Sequence, residues 1–171
     1  MAEIRTFGVK SIKIGDVGVD GGMGNSLSVI GDGNTLEGTA SFVKEEDEEV
    51  EFFAEEHDDA IESILKKGKA ILEFAIVDFT PSTLVKVLGG TVNATSGAWE
   101  APAVAAEIEQ SVEVITKRDV KIELTRAKIS ATIDWPLSKE ELGKVTVRAR
   151  VLAPTKVDTP AYTINKIESG T

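Results

Sequence analysis

Residues 78–92 read DFTPSTLVKVLGGTV, and residues 99–102 read WEAP. The Thr80-Pro81 pair predicts a helix start, because threonine can cap a helix and proline fits the first helical position. Gly89-Gly90 predicts its end, since glycine adopts positive φ without steric cost. A short helix between strands, followed by the large apolar Trp99, is typical of a structural or binding module rather than of a pocket enzyme. The helix carries one apolar stripe at helical spacing, made of Leu84, Val87 and Leu88.

The C-terminal half of the chain alternates apolar and polar residues with the period of two that a β-strand requires. This pattern predicts a mainly antiparallel β fold with one or two short helices. The predicted strands are 4–14 with a bulge near Lys10-Ser11, 39–43, 50–53, a central apolar strand at 69–79, 110–117, 119–126, 127–134 and 144–152. The predicted helical segments are 58–67, 82–88 and one capped turn within 135–143.

Composition bounds the class of protein. The 171 residues suffice for one domain with a sizeable core, and 42% of them are apolar. The absence of cysteine excludes a disulfide scaffold, a thiolate zinc site and a cysteine nucleophile. No apolar run reaches the length of about 18 residues that a membrane span needs. The first residues lack a signal-peptide pattern, so we expect no membrane anchor and a protein made in a cytoplasm.

Acidic side chains are concentrated in residues 45–59, which hold ten of the 29 acids and the single histidine, His57. A calcium site is one interpretation, but the spacing does not match an EF-hand loop. We favour a long, solvated, self-repelling loop. His57 lacks the G-x-S-x-G context of a hydrolase, so we interpret it as a solvated side chain. We therefore expect no enzyme activity, and no catalytic, cofactor-binding or metal-binding residue is assigned.

A second long loop is predicted at 15–38, which contains eight of the fifteen glycines. Its glycines complete neither G-x-G-x-x-G nor a P-loop, so nucleotide binding is not expected. A mobile arm or a turn-rich hairpin is the better interpretation of this segment.

Charge is segregated along the chain. Residues 117–156 carry ten of the 19 basic residues and only five acids. These lysines and arginines could simply occupy the outward faces of strands. Alternatively, the acidic 45–59 segment of one copy meets the basic strands of the next, which would fix register and speed encounter. The sequence leaves both interpretations open.

Taken in order, these features resemble the major tail tube proteins of long-tailed bacteriophages, and the resemblance covers most of residues 4–154. The tube component of type six secretion systems is similar in fold. The features that carry the resemblance are Glu37-Gly38-Thr39-Ala40-Ser41-Phe42, Glu55-Glu56-His57-Asp58, the apolar strand ending at Asp78, the helix closed by Gly89-Gly90, Trp99-Glu100-Ala101-Pro102, the strand-rich C-terminal half and Val151-Leu152-Ala153-Pro154.

The resemblance implies an antiparallel β-sandwich or flattened barrel with short flanking helices, formed by a single domain at 1–154 and followed by a C-terminal tail at 155–171. It implies hexameric rings that stack head to tail into a tube and conduct the genome into the host cell. The implied partners are other copies, other phage tail proteins and DNA passing through the lumen without specific binding. The implied location is the virion tail, assembled in the host cytoplasm.

Charge is compatible with that role. The net charge of −10 disfavours nonspecific binding to DNA, which lysine and arginine drive. Six copies would carry a charge of about −60, a field that repels a passing phosphate backbone.

Two rival functions remain. One is a secreted or surface binding module of β-sandwich type, such as a carbohydrate-binding domain. Against it stand the missing signal peptide and the few aromatics, namely six Phe, two Trp and one Tyr. The other is a small metal-dependent enzyme using His57 and nearby acids.

Overall fold

A computed structural model describes residues 3–168. Strands make up 42% of the chain and helices 7%, which confirms the predicted mainly β, antiparallel class. The one α-helix of the described part is α1 (Pro81–Leu88), and a 3-10 turn covers Ile30–Gly33. The strands are β1 (Ser11–Asp16), β2 (Ser28–Val29), β3 (Ser41–Lys44), β4 (Glu48–Phe52), β5 (Glu62–Lys66), β6 (Ala70–Ile76), β7 (Thr91–Val92), β8 (Trp99–Glu100), β9 (Ile108–Ile115), β10 (Val120–Asp134), β11 (Lys144–Val151) and β12 (Tyr162–Lys166).

Eight strands form one antiparallel sheet in the order β2-β1-β9-β10-β11-β6-β3, and β12 also pairs with β10. The 15-residue β10 joins the two halves of this sheet. Its first part pairs with β12 and its second part with β11, and its register shifts between Leu124 and Ala127. The two halves of the sheet face each other: the rings of Phe42 on β3 and Tyr162 on β12 meet edge to face, with their centroids 5.5 Å apart. The result is a sandwich-like arrangement.

A single apolar core fills the space between the two halves. The alternating residues of β11 are fully buried, as the period-two pattern predicted. The core residues are Ile12, Ile14, Ile30, Leu72, Phe74, Ile76, Leu84, Val87, Val112, Val114, Leu124, Ala127, Ile129, Val145, Val147 and Ala149.

The helix α1 closes one side of this core. It begins one residue before the predicted 82–88, its predicted stripe is confirmed, and the Thr80 side chain bonds to Asp78 instead of capping the helix. Leu84 and Val87 are buried, and Leu88 is half-buried against the core. The indole Nε1–H of Trp99 donates to the Gly89 carbonyl at 2.8 Å, which fixes the segment that follows the helix. Gly90 has φ of +83°, and a Cβ there would lie 2.2 Å from the Glu100 carbonyl oxygen. The glycine pair is therefore required both by backbone conformation and by close packing.

Several predicted elements are wrong at the N-terminus and in the middle of β10. Residues 4–10 are not part of a strand and no bulge forms near Lys10, because Gly8 takes φ of +66° and redirects the chain before β1. Phe7 is consequently exposed. The two predicted strands 119–126 and 127–134 are one strand, since the phase change between them is a bulge rather than a turn.

The predicted helix at 58–67 is also wrong, because residues 62–66 form β5 and pair with β4. The predicted helical turn within 135–143 is absent from the described structure: Ser138 Oγ accepts the Glu140 N–H at 3.4 Å, but only bends form there. The segment 155–171 is more than a tail, since β12 adds to β10. Residues 169–171 lie outside the described residues.

Candidate assembly surface

The acidic segment predicted as a loop at 45–59 is one arm of a β-hairpin. Strands β4 and β5 pair from Glu48–Lys66 to Phe52–Glu62, and among residues 3–168 they pair only with each other. The hairpin continues from β3 and β6 at a root held by three contacts. Glu45 N–H donates to the Lys69 carbonyl at 2.8 Å, Gly68 N–H donates to Asp47 Oδ1 at 2.8 Å, and Lys44 pairs with Asp47.

The two faces of the hairpin differ in polarity. Residues opposite each other in an antiparallel pair share a face, so Val50, Phe52 and Ile64 lie together. Phe52 is 47% exposed and Ile64 46% exposed, although both are apolar. The other face carries Glu49, Glu51, Ser63 and Leu65.

An isolated two-stranded hairpin is marginally stable in water. An exposed apolar patch on such an element marks an interaction surface, because covering it removes apolar area from water. Phe53 and Ile61, at 59% exposure each, lie beyond the last β4–β5 pair, next to the turn. We name the face formed by Val50, Phe52 and Ile64 the hairpin face; it also carries Glu48, Glu62 and Lys66. The sequence signal for it was the alternation of Val50 and Phe52 over 48–52, which the density of acids obscured.

A second surface, of mixed polarity, lies between the N-terminal segment and β3. It is a groove of about 670 Å³, with a smaller apolar pocket of about 120 Å³ beside it. Its position is fixed by β6, because Leu36 N–H donates to the Ala75 carbonyl at 2.8 Å. We name it the β1–β3 groove, lined by Phe7, Val9, Lys10, Ile12, Leu36, Glu37, Ala40 and Lys117.

Edge strands offer further sites for pairing. In the part of the chain that the structure describes, β3 pairs only with β6 and β12 only with β10. Each therefore has one edge of backbone N–H and C=O groups available to another chain.

The segregated charges do not neutralise each other within the chain. Within residues 3–168 no ion pair joins the 45–59 acids to the basic residues of 117–156. Five of those basic residues instead pair with acids outside 45–59, in Lys121–Glu123, Arg126–Glu109, Lys128–Glu107, Lys144–Asp134 and Lys156–Asp20. Apart from Asp47, which pairs with Lys44, the 45–59 acids make no ion pair within residues 3–168.

The carboxyl groups whose pKa is lowered form hydrogen bonds or ion pairs within the fold. The Arg126 guanidinium donates two hydrogen bonds to Glu109, at 2.9 and 2.7 Å, which lower the pKa of Glu109 and raise the pKa of Arg126. The Gly68 N–H and then Lys44 lower the pKa of Asp47 at the hairpin root. The Thr80 hydroxyl chiefly lowers the pKa of Asp78 before α1. These groups hold turns and strands in place.

The buried polar side chains likewise make hydrogen bonds within the fold. Ser111 Oγ donates to the Thr125 carbonyl at 2.6 Å, and Thr125 Oγ1 donates to the Pro160 carbonyl at 2.9 Å. Thr116 Oγ1 accepts the Val120 N–H at 3.1 Å. His57 lies exposed in the hairpin turn. Over residues 3–168 no group of three or more His, Asp or Glu side chains is arranged to hold a metal ion.

The glycine-rich 15–38 segment packs against the rest of the fold at several points. Asp20 pairs with Lys156 at 2.6 Å, and Gly24 N–H donates to Ser111 Oγ at 2.9 Å. Ile30 is buried in the core. Because β2 pairs antiparallel with β1, the structure fits the turn-rich hairpin rather than the mobile arm, and Leu36 at the end of the segment lines the β1–β3 groove.

None of the helices in the described part is long and apolar enough to cross a membrane. The chain matches no model of a known protein family, and comparison with curated proteins finds no relative. The case for a function therefore depends on the surfaces described above.

Proposed function

We propose that this chain is the structural subunit of a phage tail tube, which assembles into stacked hexameric rings and conducts the genome without catalysis. The observation that carries the proposal is the hairpin face. Its Phe52 and Ile64 side chains are 47% and 46% exposed on an element that pairs with no other strand of residues 3–168, and self-association would cover them.

Two further observations support self-association. The available edges of β3 and β12 are suited to strand pairing between copies. The 45–59 acids other than Asp47, and exposed cations of β11 such as Arg148 and Arg150 that make no ion pair in the described part of the chain, give one molecule regions of opposite sign, which favours contact between different surfaces of two copies. An interface of this heterologous kind generates closed rings or open filaments.

The charge supports a conduit for DNA. At −10 per chain, a ring of six would have a charge of about −60, so DNA would pass without adhering. The proposal includes assembly in the host cytoplasm, location in the virion tail and contact with other tail proteins.

The test compares two substitutions on opposite faces of the hairpin. Phe52→Ser removes an apolar side chain from the hairpin face, whereas Leu65→Ser removes one from the other face, where Leu65 is 68% exposed. We expect the unsubstituted chain and Leu65→Ser to form rings and tubes in negative-stain micrographs, and Phe52→Ser to remain in small particles. An unsubstituted chain that stays monomeric at all concentrations would contradict the proposal, as would DNA binding to the assembled tube in a mobility-shift assay.

A further inference from the structure

Two clefts of opposite charge lie at the two ends of β10. Its first residue, Val120, lines one cleft, and its last residue, Asp134, lines the other. We propose that the acidic end of one copy docks against the basic end of the next, so that copies add head to tail along β10. This contact, which rests on the proposed tube function, joins one ring to the next.

The acidic end is the β10–β11 loop at 135–143, together with the cleft of about 400 Å³ beside it. Asp134 and Lys144 in this cleft pair with each other at 3.9 Å, whereas Glu140 and Glu141 make no ion pair within residues 3–168. The segment 134–144 has three acids and two lysines, so its net charge is −1. Two carboxylates are therefore available to cations of another copy.

The acidic end also exposes apolar side chains on a loop that the fold holds in place. Leu137 is 86% exposed and Leu142 is 68% exposed. At the base of the loop, the rings of Trp135 and Phe79 pack with their centroids 4.8 Å apart, and a Cβ on Gly143 would lie 2.9 Å from Trp135 Cδ1. Contact with an apolar surface of another copy would stabilise the assembly, because it removes the exposed leucines from water.

The basic end is the cleft of about 160 Å³ where the N-terminal segment meets the β9–β10 turn and the end of β12. Arg5, Arg118 and Lys166 line it against one acid, Glu3. The Arg5 guanidinium donates two hydrogen bonds to Glu3 Oε1, at 3.0 and 2.8 Å. Arg118 and Lys166 make no ion pair in the described part of the chain, so the basic end offers two cations for the two carboxylates.

The residues around the basic end do not cancel its charge. Residues 3–10, 117–120 and 166–168 hold five cations and three acids, which gives a net charge of +2. Of these acids, Asp119 already pairs with Lys10 at 3.0 Å. The two ends of the molecule are therefore opposite in sign, which favours contact between them and sets the direction in which copies add.

Apolar side chains flank the basic end as well. Ile4 lines the cleft and is exposed, as is Phe7 nearby. The Arg118 guanidinium carbon lies 5.2 Å from the centroid of the Phe7 ring, a cation–π contact that holds the arginine beside this ring. Both ends thus combine unpaired charge with exposed apolar surface.

Position requires a second copy, because the two ends cannot meet within one chain. Val120 and Asp134 are separated by the whole of the 15-residue β10, which at about 3.3 Å per residue is roughly 45 Å. A copy displaced along β10 brings its acidic end to the basic end of its neighbour and leaves one free end of each kind. A heterologous contact of this type propagates into an open filament.

The outward face of β11 is the rival partner for the acidic end. Its Arg148 and Arg150 also make no ion pair in the part of the chain that the structure describes. However, Arg148 lies directly opposite Glu73 of β6, so an acidic loop docked there would meet a like charge. Both arginines also pair with the middle of β10 rather than with its ends, at Ser130 and Lys128.

A zero-length cross-link in the unsubstituted chain tests the contact directly. Carbodiimide joins a carboxylate to an amine that it touches, and mass spectrometry identifies the linked residues. Glu140 and Glu141 lie at the opposite end of β10 from Lys166, so a link between them must join two copies. We expect this link in assembled tubes and its absence in dilute single chains. Tubes that link these glutamates to other lysines and never to Lys166 would overturn the proposal.

A reversal of charge gives an independent test. Glu140→Lys with Glu141→Lys makes both ends basic, so we expect single rings and tubes several-fold shorter than those of the unsubstituted chain in negative-stain micrographs. Adding Arg118→Glu and Lys166→Glu to the same chain exchanges the signs of the two ends and should restore tube length. All four positions are exposed, and a β-type circular dichroism spectrum checks that each variant is folded.

The matched control adds Arg148→Glu and Arg150→Glu to the acidic-end variant instead, which makes the same changes of charge on the rival face. We expect this control to stay unstacked. Tubes of full length in the acidic-end variant, or restoration by the control rather than by the basic-end changes, would overturn the docking while leaving rings and the tube function intact. An unsubstituted chain that forms no assembly under any condition would overturn both.

Discussion

Removing the hairpin should abolish assembly while leaving the fold intact. The change replaces residues 46–68 with Asn-Gly, a two-residue sequence that favours the type I′ turn of a tight hairpin. The new turn would join Glu45 to Lys69, whose backbone groups are already hydrogen-bonded at 2.8 Å in continuation of the β3–β6 pairing. No core residue is removed, because the buried cluster contains none from 46–68.

The expected change in stability follows from the length of the connection. Shortening it from roughly 23 residues to two is about three and a half halvings, each worth about 0.6 kcal/mol of closure entropy. The free energy of unfolding should therefore stay the same or rise by up to about 2 kcal/mol. The excised hairpin contributes little in compensation, since an isolated two-stranded pair is marginally stable.

The assay is urea unfolding followed by far-UV circular dichroism, with linear extrapolation to water. Both proteins must be compared at a concentration below that of assembly, because association stabilises the native state by mass action. The same samples, concentrated, are then examined for rings. A loss of more than about 2 kcal/mol on deletion would show that the hairpin is part of the cooperative fold, a loss typical of disrupting a core. Rings formed by the deleted protein would refute the assembly role of the hairpin.

Three other changes give separate tests. Leu84→Ala should lower the free energy of unfolding by about 2–5 kcal/mol, because Leu84 lies on the buried face of α1. Ser82→Ala, on the exposed face of the same helix, should be nearly neutral in the same denaturation assay. Asp78→Ala should destabilise at neutral pH. The folded-state pKa of Asp78 is lowered, chiefly by the Thr80 hydroxyl. Its contribution to the free energy of unfolding is therefore complete above the ordinary carboxyl pKa and is lost as pH falls through the lowered pKa. A difference in unfolding free energy between the two proteins that persists in strong acid would contradict this. Replacing the three glutamates of β4 by glutamine should slow assembly and weaken its dependence on salt in light scattering, since exposed charges interact only within about 10 Å at 0.1 M salt; an unchanged salt dependence would remove those acids from the interface.

The elements that could be predicted from sequence are those with strong local signals. The helix α1 carries a proline start, an apolar stripe and a glycine pair, all of which act over a few residues. Strand β11 alternates without interruption, and its inward residues are all fully buried through Ala149. In α1 and β11 the local sequence signals favour the same conformation as the tertiary packing, so the sequence alone predicts these elements correctly.

The elements that were missed depend on partners distant in sequence. Residues 58–67 have acids first and lysines last, a pattern that favours a helix, but about ten residues are too few for a stable isolated helix. Pairing with β4 decides their conformation. Strand β12 forms because β10 is long enough to present one edge to two successive partners, which the sequence of 155–171 alone does not indicate.

The candidate site was predicted only in outline. The acidic run and the charge segregation are visible in sequence, but contact between copies was only one of two interpretations that they left open. The hairpin face could not be predicted, because Phe52 and Ile64 share a face only through the β4–β5 register. The β1–β3 groove brings Phe7 near Leu36 and Ala40, residues about 30 positions apart whose proximity depends on the whole sheet.

The central claim is assembly into rings, and the rotational symmetry of the purified particles tests it most directly. Electron cryo-microscopy of the unsubstituted chain, classified without imposed symmetry, should give end-on views with six subunits around an open channel and side views of stacked rings. A population of single chains or of closed dimers without a channel, at every concentration and ionic strength tried, would contradict the account.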